Sequence, residues 1–128
     1  MNLYKYDEWK DTNAVYIATM FLDSVIQEFI NKSEGIKGIE DARRFALKSR
    51  ALGLGTLGWH SYLQSKSIPF ISIYANGLTN QIFGHIKEES ERASRDLATM
   101  HGEPTWLLGT GYRNLTRMAI APNKSSAK

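Results

Sequence analysis

With 128 residues, a formal net charge of +3, 42% apolar and 23% charged residues, the chain has the size and balance of a single globular domain with a modest core. It contains no cysteine, which excludes a disulfide-stapled scaffold and any thiol chemistry carried by this chain alone. Its apolar stretches fall well short of the ~20 residues a bilayer span needs, and residues 1–10 lack a signal peptide's apolar core, so a cytoplasmic protein without membrane contact is expected.

The first strong element spans residues 13–30, where Ala14, Ile17, Ala18, Phe21, Leu22, Val25, Ile26 and Phe29 recur at helical spacing. Thr12 or Asn13 can cap its first amides, and Gly35, after Lys32-Ser33-Glu34, can take the left-handed turn that ends it. Residues 39–49 predict a second helix with Ile39, Ala42, Phe45 and Ala46 on one face and arginines on the other. Residues 51–58 are apolar and glycine-rich, the pattern of a short buried strand or a tight loop. Helical character returns over 59–66 and is broken at Pro69, which disfavours helix in the residue before it.

A long helix is predicted over residues 75–100, with the stripe Leu78, Ile82, Ile86, Ala93, Leu97 and Met100. Its wetter side carries Lys87, Glu88, Glu91, Arg92 and Arg95, and Gly102 and Pro104 close it. Residues 103–112 read as loop, and 115–120 alternate well enough for one short strand that Ala121-Pro122 would end. The expectation is a mainly α chain with two short β segments. Two isolated strands make a poor sheet, so they are expected to pair irregularly, with a larger body or with another copy.

Few motifs here carry chemistry. Gly53-Leu54-Gly55-Thr56-Leu57-Gly58 matches the spacing of a dinucleotide fingerprint, but a basic helical stretch precedes it and no acidic residue follows before Glu88. Structural glycines that admit a close backbone approach are the better reading. His60, His85 and His101 lack ligand spacing, so no metal site is expected; His101 suits a helix end. Glu88, Glu89 and Glu91 sit among Lys87, Arg92 and Arg95 as a solvated charged face. The basic block of Lys37, Arg43, Arg44, Lys48 and Arg50 lacks interleaved aromatics and reads the same way. Pro122-Asn123-Lys124-Ser125-Ser126 is the one segment with ligand chemistry. A lysine, two hydroxyls and free backbone amides after a proline can together hold an anion.

Several strings occur together in a telling order. Phe21-Leu22-Asp23-Ser24-Val25-Ile26, then Arg50-Ala51-Leu52-Gly53-Leu54-Gly55-Thr56-Leu57-Gly58, then Ile68-Pro69-Phe70 precede Gly102-Glu103-Pro104. Arg113-Asn114-Leu115-Thr116 and Ala119-Ile120-Ala121-Pro122 follow. The ordered set covers nearly the whole chain and resembles the large, catalytic subunit of class I ribonucleotide reductases, closest to those of bacteria and phages.

The resemblance implies a partial domain over residues 1–128 of a ten-stranded α/β barrel that reduces ribonucleotides to deoxyribonucleotides through a cysteine thiyl radical. It implies that Lys124, Ser125 and Ser126 contact the substrate's phosphates, that Pro122 and Asn123 shape that loop, and that residues 122–128 open it. It places the radical cysteine and one reducing cysteine upstream of Met1, and further tyrosines and tail cysteines beyond Lys128. No catalytic residue and no cofactor are then expected in this chain. The complete enzyme would need a radical-generating small subunit and an external thiol reductant. The implied partners are the remainder of the large subunit, that small subunit, the ribonucleotide, and a second copy through exposed barrel edges. The competing expectations are a small helical interaction or nucleic-acid-binding module, and a regulatory decoy that joins an intact reductase.

Overall fold

The computed structural model describes residues 1–120. A single 3-10 turn at Leu3–Lys5 leads into α1 (Tyr6–Trp9), followed by α2 (Ala14–Lys32), α3 (Glu40–Ser49), α4 (Trp59–Ser65) and α5 (Ile73–His101), with a last 3-10 turn at Thr105–Leu107. Helix α2 begins where the Thr12 hydroxyl accepts from the Ala14 amide at 3.2 Å. Helix α5 starts earlier than its stripe suggests, because the Ser72 hydroxyl accepts from the Ala75 amide at 3.1 Å and caps the first turn. Arg50 ends α3 in the left-handed conformation (φ 44°, ψ 42°), which costs a non-glycine residue roughly 1–2 kcal/mol.

The core forms where α2 lies along α5 and the amino-terminal turn packs against α4. Leu3, Tyr6, Val15, Leu54, Tyr62, Ile82 and Ile86 make one buried cluster, with Trp9, Ala18, Leu22, Leu78, Phe83 and Met118 packed against it. The Tyr6 and Trp9 rings meet edge to face at 4.9 Å. Between the long helices the Tyr16 hydroxyl donates to Asp96 at 2.9 Å, and the Arg92 guanidinium lies 4.2 Å above the Tyr16 ring.

Two expectations are corrected. The two β segments of the anticipated barrel fragment do not form: among the described residues there is no strand and no sheet, only single parallel bridges at Asn2–Leu57 and Leu54–Met118. The physical reason is short register. Residues 52–54 bond to residues 116–119 through three backbone hydrogen bonds, and residue 57 bonds to Met1 and Leu3, before Gly58 turns left-handed (φ 81°) into α4. Three bonds on one side and two on the other hold segments together without propagating a ladder.

The second correction concerns α2. Its buried positions are Val15, Thr19, Asp23 and Ile30, while Ile17, Phe21, Val25 and Phe29 of the apparent stripe face outward. The helix is apolar on more than one side, so periodicity alone could not choose which side is inside.

Candidate functional site

Pro122, Asn123, Lys124, Ser125 and Ser126 lie outside the described residues. The structure does describe the platform from which the chain enters that segment. The Leu52 and Leu54 amides donate to the Thr116 and Arg117 carbonyls at 2.8 and 2.9 Å, and the Ala119 amide donates back to the Leu54 carbonyl at 3.3 Å. The Thr116 hydroxyl adds a bond to the Leu52 carbonyl at 2.7 Å. A Cβ on Gly53 would stand 3.1 Å from the Ala119 Cβ, and one on Gly55 would stand 3.3 Å from the Ala119 carbonyl oxygen. The glycines of the fingerprint-like string therefore serve close approach of two backbones, with nothing dinucleotide-like around them.

Beneath this platform lies a buried polar network centred on Asp23. One carboxylate oxygen accepts from Arg50 Nε at 2.9 Å and from Asn114 Nδ2 at 2.8 Å. The other accepts from Arg50 Nη2 at 2.8 Å and from Arg113 Nε at 3.1 Å. Arg50 also donates to the Asp23 carbonyl and to Gln27 Oε1. Arg113 Nη1 reaches the carbonyls of His101 and Gly102 at 3.0 and 2.7 Å, satisfying the end of α5. Ser94 Oγ on α5 accepts from the amides of Arg113 and Asn114. Asp23, Arg50, Arg113 and Asn114 are all buried.

Burial pushes the Asp23 carboxyl up. The hydrogen bonds and charge of Arg50, with Asn114 and Arg113, outweigh that effect and hold it below the usual carboxylate range. The cluster thus carries two guanidinium charges against one carboxylate, and a cleft of about 320 Å³ beside it, lined in part by Met20, Gln27, Leu97 and His101, opens to solvent. Most of these groups are satisfied by one another, the buried Asn114 Oδ1 being the exception among the described residues. So extensive a mutual pairing suits a structural junction better than a reacting centre. The amide of Asn114 is oriented by its two donations, to Asp23 and to the Arg50 carbonyl at 3.1 Å.

The remaining sequence candidates are placed as follows. His101 is the last residue of α5, His85 packs beside the Tyr6–Trp9 pair with its ring 6.0 Å from each, and His60 sits near Phe70. Among the described residues no three His, Cys, Asp or Glu side chains converge as for a metal, and no helix is long and apolar enough to cross a membrane. Glu88 is exposed, but Glu89 and Glu91 are half-buried on different sides of α5. Glu89 pairs with Arg92 at 2.6 Å and Glu91 with Arg117, from beyond the helix, at 3.5 Å, so the acidic run is charge-paired without forming one solvated face. Arg92 holds the Glu89 carboxyl below its ordinary range against the opposing effect of burial.

Sequence reasoning gave Asp23, Arg113 and Asn114 no individual role, although each stands inside one of the quoted strings. It set Arg50 on a solvated basic face, whereas Arg50 is buried because its guanidinium turns inward onto Asp23. The available signal was Asp23, a charged residue in the middle of an otherwise uncharged helical stretch. The Glu103 carboxylate was also missed: it accepts from the amides of Gly109 and Gly111 and closes the loop after α5.

Comparison with known proteins gives one consistent picture. The family description "Ribonucleotide reductase, barrel domain" matches residues 2–108. The chain is 44% identical, over 99% of its length, to the putative ribonucleoside-diphosphate reductase large subunit of Frog virus 3 (isolate Goorha), and covers 23% of that protein. It is 36% identical to the ribonucleoside-diphosphate reductase large subunit of Invertebrate iridescent virus 3, covering 99% of the chain and 20% of the relative. Among solved structures it is similar to the Actinobacillus ureae class Id ribonucleotide reductase alpha subunit, with 52% identity and a TM-score of 0.94 over 99% of this chain and 24% of that one. The chain spans less than a quarter of the length of each of these relatives.

Proposed function

Because this chain belongs to the ribonucleotide reductase barrel-domain family, we propose that it is a piece of the large subunit of a ribonucleoside-diphosphate reductase, supplying scaffold and a substrate-phosphate loop rather than reacting groups. The observation that supports this most directly is where the family strings meet. Asp23, Arg50 and Asn114 come from three separate strings and share hydrogen bonds at a single buried carboxylate. That junction fixes residues 116–119 against residues 52–54, and so sets the start of the segment that follows.

In this reading Lys124, Ser125 and Ser126 hold the substrate's phosphates through a positive charge, two hydroxyls and backbone amides, while Pro122 and Asn123 shape the turn. Bonds of this charge-assisted kind are individually worth roughly 1.5–3 kcal/mol. The reacting thiols must come from elsewhere, because this chain has no cysteine. The partners are then the remainder of the large subunit, a radical-generating small subunit and an external thiol reductant, acting in the cytoplasm. A nucleic-acid-binding role gains no support from α3, where Arg44 is paired with Asp41 and Arg43 reaches Glu34 and the Ile30 carbonyl.

The test uses a graft, in which this chain replaces the matching segment of the Actinobacillus ureae alpha subunit. In the graft, joint Ser125→Ala and Ser126→Ala substitution is expected to raise KM for a ribonucleoside diphosphate by about tenfold or more. The kcat should change by no more than about threefold, since the lost bonds act on bound substrate and transition state alike. An unchanged KM would refute the phosphate assignment.

A further inference from the structure

The outer side of α2 has no role in the network or the platform. Ile17, Phe21 and Val25 follow one another at four-residue spacing and are 61%, 65% and 48% exposed. That spacing stacks the side chains into one ridge along the helix. No charge interrupts the ridge: between Ala14 and Gln27 the only charged residue is Asp23, which is turned inward. Helix α5 provides the contrast, because Lys87, Glu88 and Arg95 on its outward side are all exposed. A helix with apolar side chains on opposite sides is built to be covered on both. Helix α5 covers one side of α2, and the other is bare.

We infer that the Ile17–Phe21–Val25 ridge is a docking surface for an apolar helix supplied by the remaining part of a reductase large subunit. The inference rests on the reading that this chain is a piece of such a subunit. The occupant follows from proportion and chemistry. The solved relative shares this fold at a TM-score of 0.94, yet the chain accounts for only 24% of it, so three quarters of that protein lies outside the matched region. A ridge of residues four apart fits the groove between the ridges of a second helix. An uncharged ridge offers nothing to a phosphate backbone and gains only from an apolar neighbour.

The experiment compares Phe21→Asp in two settings. In the isolated chain the substitution lies on an open surface, and the melting temperature is expected to move by less than about 3 °C. In the graft it would bury a charge, and amide exchange across residues 14–27 is expected to rise by about tenfold or more over the parent graft. Phe21→Leu, which keeps the ridge apolar, should restore the parent's protection.

Equal protection in the Phe21→Asp and parent grafts would overturn the docking surface while leaving the functional reading intact. A parent graft that fails to fold would overturn both. Sedimentation of the isolated chain as a dimer that Phe21→Asp dissociates, with the graft indifferent, would assign the ridge to a second copy and overturn the inference.

Discussion

Replacing Asp23 with alanine is expected to destabilise this chain by about 3–5 kcal/mol, the cost of leaving buried guanidinium groups without their counter-charge. Asp23 accepts four side-chain hydrogen bonds from Arg50, Arg113 and Asn114. The substitution would also release the left-handed turn at Arg50 and the seat of residues 113–114 on Ser94. Against a whole-domain stability of about 5–15 kcal/mol, that loss is a large fraction, and urea unfolding of the two proteins measures it. A loss below about 1 kcal/mol would show that water entering the neighbouring cleft solvates both arginines.

The same carboxylate sets an acid dependence. Its folded pKa lies below its ordinary value of 3.8. Its contribution is therefore fully present above the unfolded pKa and is lost as pH falls through the folded one. The wild-type advantage over Asp23→Ala should accordingly hold at neutral pH and shrink under acid conditions below that value.

Ile82→Ala should cost about 2–5 kcal/mol, the range for a large-to-small change in a sealed core. Ile82 is fully buried on α5 in the cluster that includes Leu3, Tyr6, Val15 and Ile86. Ile17→Ala on α2 is the matched control. It removes the same atoms from an exposed position, and in the isolated chain it should cost less than about 1 kcal/mol. A loss at Ile17 as large as that expected at Ile82, measured by urea unfolding, would mean that the outer side of α2 is packed rather than exposed in the isolated chain.

Helix positions were legible from the sequence because helical signals are local. The period of apolar residues, the stop at Gly35, the break near Pro69 and the close at Gly102 gave the four longer helices to within a few residues. The face that α2 buries was not legible. Ile17 and Val15 are equally apolar, and only the partner helix decides between them. The expected strands failed for a related reason: residues 51–58 and 115–120 have strand-like composition, but a ladder depends on how far pairing continues, which is a property of the assembled chain.

The junction at Asp23 illustrates a different limit. Its members are separated by 27, 90 and 91 positions, and no periodicity links residues that far apart. The resemblance to the reductase family located all of them without saying what they do. The proposal that residues 122–126 hold phosphate rests on that resemblance and on the anion chemistry of a lysine with two serines.

The central claim is that this chain can serve as a working piece of a reductase large subunit while performing no reduction itself, and the graft tests it most directly. Ribonucleoside diphosphate reduction would be measured for the isolated chain and for the grafted alpha subunit, each supplied with small subunit and thiol reductant. No turnover by the isolated chain and turnover by the graft within about tenfold of the parent subunit is the predicted result. A folded graft without activity, or reduction by the cysteine-free chain alone, would contradict it.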